Sequence, residues 1–236
     1  MGRILKDMYS DTSIAPLLGF KGGTCALLFY GLTRSSVDLD FDLFSTNTSI
    51  QRNVFEKVTA ILEKHGQIKD SKIKFNTIFF LLSYGDADHN IKLEINIRMW
   101  VSNIKERYEL REHLGIPMFV AKKAYLFASK LAALTSRKFT AMRDVYDIWF
   151  FGENSWDVDK EILTSRTEKS IKEHLADCIL LIEQIKDNAI LQGLGELLHG
   201  EKEKAWVKNN LREEAIFVLK NYMSAMEYHS GNSPGS

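Results

Sequence analysis

Asp38-Leu39-Asp40-Phe41-Asp42-Leu43 alternates acid and hydrocarbon without a break. A period of two puts successive side chains on opposite faces of an extended strand. Asp38, Asp40 and Asp42 then share one face, while Leu39, Phe41 and Leu43 form the other, which must be buried. Working outward, Ile91-Lys92-Leu93-Glu94-Ile95-Asn96-Ile97-Arg98 alternates as cleanly, with Lys92, Glu94, Asn96 and Arg98 on its polar face. Between the two, residues 49–66 carry apolar side chains at helical spacing (Val54, Val58, Ile61, Leu62). Residues 72–84 read as one long strand, and residues 85–90 as the turn of a hairpin leading into Ile91.

Beyond about residue 100 the pattern changes. Helical spacing predicts helices over residues 119–134, 141–151, 169–185 and 205–228. Strands gathered in the first half and helices in the second predict an α+β fold. Gly115-Ile116-Pro117 is the strongest punctuation between the halves. It divides the chain into a sheet-bearing core over residues 1–115 and a helical region over 116–229, followed by a disordered tail over 230–236.

Composition narrows the function classes. The 236 residues carry 31 Lys plus Arg against 31 Asp plus Glu, so a globally basic nucleic-acid binder is disfavoured, although a local basic patch is not. The two cysteines, Cys25 and Cys178, are far apart and make no CxxC, which argues against a disulfide scaffold or structural zinc and suits a reducing compartment. No HxH or HxxxH pair is present. The start of the chain does not read as a signal peptide, and the longest apolar runs are far too short to cross a bilayer. A cytoplasmic protein is expected, with no membrane partner.

Several residue groups could carry chemistry. Gly22-Gly23-Thr24 before an apolar segment can open a helix whose bare N–H groups meet a phosphate. Asp38 and Asp40, at i and i+2 on one strand face, repel each other unless a cation lies between them, and oxygen-only ligation suits Mg²⁺. The plain alternative is an acidic, solvent-facing strand. Glu94 joins them if its strand is a neighbour, with Lys92 and Arg98 as local ion-pair partners in the plain alternative. Between Glu112 and Asp144 no acid occurs, while Lys122, Lys123, Lys130, Arg137, Lys138 and Arg143 do. Lys123, Lys130 and Arg137 are spaced by seven and share a helix face, a positive field suited to a triphosphate or a nucleic-acid backbone, or simply a solvated surface. Arg143-Asp144-Val145-Tyr146-Asp147 completes the set, with an i,i+4 ion pair as its simplest reading.

The order of these blocks resembles the nucleotidyltransferase superfamily. With Lys130-x-x-Ala-Leu-x-x-Arg137 and Arg143-Asp-x-x-Asp147 added, it looks like the AbiEii/AbiGii-type toxin family of type IV toxin–antitoxin systems. The resemblance covers about residues 18–150. It implies a nucleotidyltransferase-like mixed sheet with flanking helices. It also implies that Gly22, Gly23 and Thr24 form the phosphate-holding motif, and that Asp38, Asp40 and Glu94 are the catalytic carboxylates and the ligands of two Mg²⁺ ions, Mn²⁺ being an alternative. Lys130 and Asp147 are implied to bind the nucleotide. Because the segment before Gly22 is short, an N-terminal helix found in relatives is expected to be reduced. The implied reaction transfers a nucleoside monophosphate from a nucleoside triphosphate to an acceptor hydroxyl, an RNA and in particular the 3′ end of tRNA, with a cognate antitoxin as partner. A small-molecule acceptor, and a nucleotide-binding module without catalysis, are the alternatives.

Overall fold

The computed structural model describes residues 1–85 and 90–231, in two units: Met1–Lys122 and a second that begins at Lys123. The first unit opens with helix α1 (Gly2–Ser10), which buries Ile4, Leu5, Met8 and Tyr9. The N-terminal helix expected to be reduced is therefore present, with nine residues. Strand β1 (Leu18–Lys21) runs directly into helix α2 (Gly22–Tyr30). After β2 (Leu39–Leu43) comes α3 (Thr48–Leu62), whose N-cap Asn47 accepts hydrogen bonds from the Ser49 and Ile50 amides. Strands β3 (Gln67–Ile73), β4 (Thr77–Ser83), β5 (Asn90–Asn96), β6 (Tyr108–His113) and β7 (Ile116–Ala121) complete the unit.

Among the described residues the seven strands form one mixed sheet, ordered β3-β4-β5-β2-β1-β7-β6. β2 is parallel to β5 and antiparallel to β1, and β1 is parallel to β7. One face is hydrocarbon throughout: Phe20, Leu39, Phe41, Ile78, Phe80, Leu93 and Ile95 are fully buried. On this face Phe55 of α3 stacks on Phe80 at 5.1 Å, and Tyr9 of α1 reaches Phe41 at 6.4 Å. The other face carries the alternate side chains, including Asp40 and Asp42 of β2, with Asp38 immediately before the strand.

Three expectations change. The long strand over residues 72–84 is two strands, β3 and β4, folded back on each other, because Lys74 and Thr77 close a turn by a backbone bond of 2.8 Å. Gly115 does not separate the halves: it turns the β6–β7 hairpin with φ 77°, and the first unit ends at Lys122. The helix expected from residue 119 begins only at Lys123, because Phe119 and Val120 pair with β1 as strand. The turn expected over residues 85–90 falls largely on residues 86–89, outside the described residues, although Ser83 and Asn90 pair antiparallel on either side of it. The expected tail falls mostly on 232–236, also outside them.

The second unit is helical: α4 (Lys123–Ser136), α5 (Met142–Glu153), α6 (Lys160–Thr167), α7 (Ile171–Glu183) and α8 (Glu201–Gly231). Its core centres on aromatic rings, with Phe151 stacked on Trp156 at 4.1 Å and Phe127 edge-on to Phe151 and Tyr222. Ser170 and Glu173 form a capping box that starts α7. Among the described residues no helix is long and apolar enough to cross a membrane. Both cysteines are buried and free.

Candidate active site

Register brings the carboxylates of the first unit together. Asp40 of β2 stands opposite Glu94 of β5, and Asp38 lies two residues before Asp40 on the same face. The ammonium of Lys92 sits among them, 3.1 Å from Glu94 Oε2 and 3.4 Å from Asp38 Oδ2. Burial alone would lower the pKa of Lys92, but Asp38, Glu94 and Asp40 outweigh it and raise it above the ordinary lysine value. The three acids therefore create a field that already attracts one cation.

This field is also the test of whether a divalent ion suits the site. Among the described residues no three acid, histidine or cysteine groups stand preassembled as a metal cage. The donor set consists of carboxylate oxygens, the hard ligands that Mg²⁺ prefers, and the space between two of them is taken by a lysine cation. Charge and donor chemistry fit Mg²⁺ or Mn²⁺, with Lys92 as the group that must move aside.

Helix α2 begins against this cluster. Gly22 has φ 81°, and a Cβ there would lie 2.3 Å from Asp40 Oδ2. Glycine is thus required twice, by the backbone and by the carboxylate. A Cβ on Gly23 would meet Arg34 Nη2 at 2.7 Å and Ser36 Oγ at 2.9 Å. Thr24 donates its hydroxyl to the Asp38 carbonyl and lies 3.0 Å from Ser36 Oγ. It therefore holds the loop that presents Asp38. Arg34, 2% exposed, is the largest fully buried side chain, and its Nη1 donates to the Ser35 carbonyl at 2.8 Å. Charge pattern alone could not flag it, because an arginine in a loop ordinarily faces water. Gly22→Ala is expected to cost at least about 1 kcal/mol of stability from the positive φ and to displace Asp40. A thermal melt beside an activity assay checks both, and an unchanged melt would contradict the argument.

Asp42, third acid of the alternating strand, does not belong to this cluster. It is 1% exposed. Lys21 Nζ approaches its Oδ1 at 2.6 Å and Asn96 Nδ2 at 2.7 Å, and the Tyr108 hydroxyl donates to Oδ2. Beside it Phe44 packs edge-on against Tyr108 at 4.9 Å. Gly19, opposite Asp42, leaves room for the Tyr108 ring, which a Cβ would approach to 2.4 Å.

In the second unit, Lys130 of α4 lies 2.7 Å from Asp144 Oδ1 and 2.7 Å from Asp147 Oδ2 of α5. Arg137 Nε is 2.8 Å from Asp144 Oδ2. Both aspartates are fully buried. Two of the three basic residues spaced by seven are thus engaged with acids, and the third, Lys123, lies over the Trp156 ring at 5.3 Å. The stripe is therefore not an open positive field, since acids hold Lys130 and the part-exposed Arg137. Local spacing could not reveal this, because the acids that meet it sit on the next helix.

Comparison with known proteins adds to this geometry. A family model described as "Nucleotidyl transferase AbiEii toxin, Type IV TA system" matches residues 3–220. Among solved structures, JHP933 from Helicobacter pylori is similar with a TM-score of 0.59 and 21% identity, over 98% of this chain and 93% of that one. MenT4, a nucleotidyltransferase toxin from Mycobacterium tuberculosis, is similar with a TM-score of 0.50 and 15% identity, over 97% of this chain and 87% of that one. At such identities the likeness is one of fold. No match was found among curated proteins.

Proposed function

We propose, starting from the fact that this chain belongs to the AbiEii nucleotidyltransferase toxin family, that it transfers a nucleoside monophosphate from a nucleoside triphosphate to the 3′ hydroxyl of an RNA, tRNA foremost, in the cytoplasm. A cognate antitoxin would hold it in check. The observation that carries this reading is the pairing of Asp40 with Glu94 on adjacent strands, with Asp38 beside them and one cation already drawn in.

In this reading Asp38, Asp40 and Glu94 would hold two Mg²⁺ ions. Bound there, the ions would neutralise the triphosphate and polarise its α-phosphate for in-line attack. Gly22 and Gly23 open α2, whose first amides have no partner within the helix and can bind phosphate oxygens. Thr24 keeps Asp38 in position through its carbonyl. Glu94 orients the acceptor hydroxyl and accepts its proton. With ions bound there, Lys92 would give up its contacts to Asp38 and Glu94, whose charge it balances without them. The family resemblance assigns Lys130 and Asp147 to the nucleotide, and within the second unit Asp144 fixes the Lys130 ammonium.

The test incubates the protein with each labelled nucleoside triphosphate, Mg²⁺ and total RNA. Label in the tRNA band, lost on chelation, supports the reading. Label in a small molecule would redirect it to that acceptor. Nucleotide binding without any labelled product would mean a binding module.

A further inference from the structure

We propose that the sheet face beside the carboxylates, built on Phe79 with Lys72 and Lys74 and continued by Arg98 and Trp100, is the platform on which the single-stranded end of an RNA acceptor lies. The inference rests on the RNA-acceptor reading above and assigns that acceptor a surface. It comes from register. Lys72 of β3 stands opposite Phe79 of β4, Phe79 opposite Glu94 of β5, and Glu94 opposite Asp40 of β2. Residues directly opposite each other project from the same side of a sheet. One row therefore runs from the edge strand through an aromatic ring to the carboxylates. Strands lie about 4.8 Å apart, so the ring is about 5 Å along the sheet from Glu94 and about 10 Å from Asp40.

The chemistry of the row matches single-stranded nucleic acid. Phe79 is half-buried, and the ammonium of Lys74 lies 4.1 Å and that of Lys72 5.9 Å from its ring centroid. Next to β5, the Arg98 guanidinium covers the Trp100 ring at 4.4 Å. Ring faces beside cations are what unstacked bases and their phosphates require. Asp70 pairs with Lys72 at 2.8 Å between exposed side chains, a contact that phosphate can displace at little cost. Phe75, 94% exposed at the β3–β4 turn, extends the aromatic surface to the rim. The platform is positive where it is distant from the metal-binding acids and ends at them, so a polyanion held on it presents its terminus to the reacting end.

The experiment measures binding of a short single-stranded RNA with a free 3′ hydroxyl by fluorescence anisotropy at several salt concentrations, with transfer kinetics alongside. The double variant Lys72→Glu/Lys74→Glu is expected to lose roughly ten- to a hundredfold in affinity at low salt. Its log–log salt slope should fall by about 1.4, at about 0.7 per phosphate contact on a single strand. Transfer to RNA should weaken through KM rather than kcat. Phe79→Leu, which keeps the apolar volume but removes the ring, should lose roughly tenfold. Lys202→Glu/Lys208→Glu, two exposed reversals on α8 with the same change in net charge, should change nothing. Thermal melts confirm that each variant is folded. If the wild type labels RNA while the double variant keeps its affinity, salt slope and KM, the platform is overturned and the acceptor reading stands. If the wild type neither binds nor labels RNA, the acceptor reading itself has failed.

Discussion

Asp40→Asn is expected to lower nucleotidyl transfer by about a thousandfold or more and to leave the protein folded, and Asp38→Asn to behave alike. If the carboxylates serve the triphosphate as proposed, loss of one removes several kcal/mol of transition-state stabilisation, and each 1.4 kcal/mol is about tenfold in rate. The fold survives because both acids sit at a partly open cluster where Lys92 balances what remains. Asp42→Asn is the informative contrast. It lies two residues further along the same strand face, but it is buried beneath Lys21, Asn96 and Tyr108. Removing its charge leaves the Lys21 ammonium, 19% exposed, without its carboxylate, and breaking a buried pair costs about 3–5 kcal/mol. The three variants should therefore separate cleanly: two inactive and stable, one unstable. Full activity in Asp40→Asn would remove the carboxylate cluster from consideration as the reaction centre.

The second large effect is expected in the helical unit. Asp144→Asn should destabilise it by about 1–3 kcal/mol, because the buried side chain loses its charge-assisted contacts with Lys130 and Arg137, while Lys130 keeps Asp147 and the part-exposed Arg137 can turn to water. Against a typical stability of about 5–15 kcal/mol, such a loss is visible in any melt. The same cluster predicts a pH dependence. Burial alone would raise the Asp144 pKa, but Lys130 and then Arg137 outweigh it and hold it below the usual carboxylate range. A carboxyl depressed in the folded state adds stability above its unfolded value, about 3.9, and loses it as the pH falls through the folded value. Melting temperature should thus fall on acidification below about pH 4, and part of that slope should vanish in Asp144→Asn. An identical acid slope in the variant would show that the cluster does not contribute. The arrangement also dictates how Lys130 must be probed. Truncation would remove the ammonium that bridges Asp144 and Asp147, so Lys130→Arg is the useful change: nucleotide affinity lost at constant melting temperature would mean that Lys130 also touches the ligand.

Strands β2 and β5, their buried faces and helix α3 are legible from residue order, because period-two and period-3.6 burial is a local property of the chain. The block order Gly22-Gly23-Thr24, Asp38-x-Asp40, Glu94 pointed to the family that the match over residues 3–220 identifies. Other elements escaped for physical reasons. β7 joins the sheet through β1, about a hundred residues earlier in the chain, and β6 only adds to β7 as the edge strand. The turn between β3 and β4 is marked only by Asn76, within a run otherwise rich in strand-forming residues. Alternation could place Asp38, Asp40 and Asp42 on one face but could not separate them, since their difference lies in what arrives from elsewhere: Lys92 from β5 beside Asp38, and Lys21 and Tyr108 around Asp42. In the same way, helical spacing put Lys130 and Arg137 on a stripe, while the buried Asp144 and Asp147 on the following helix draw both into an ion cluster. Which face a side chain takes is written in its neighbours along the chain. Whether a charge on that face meets water, a ligand or an opposite charge depends on which distant segment packs against it.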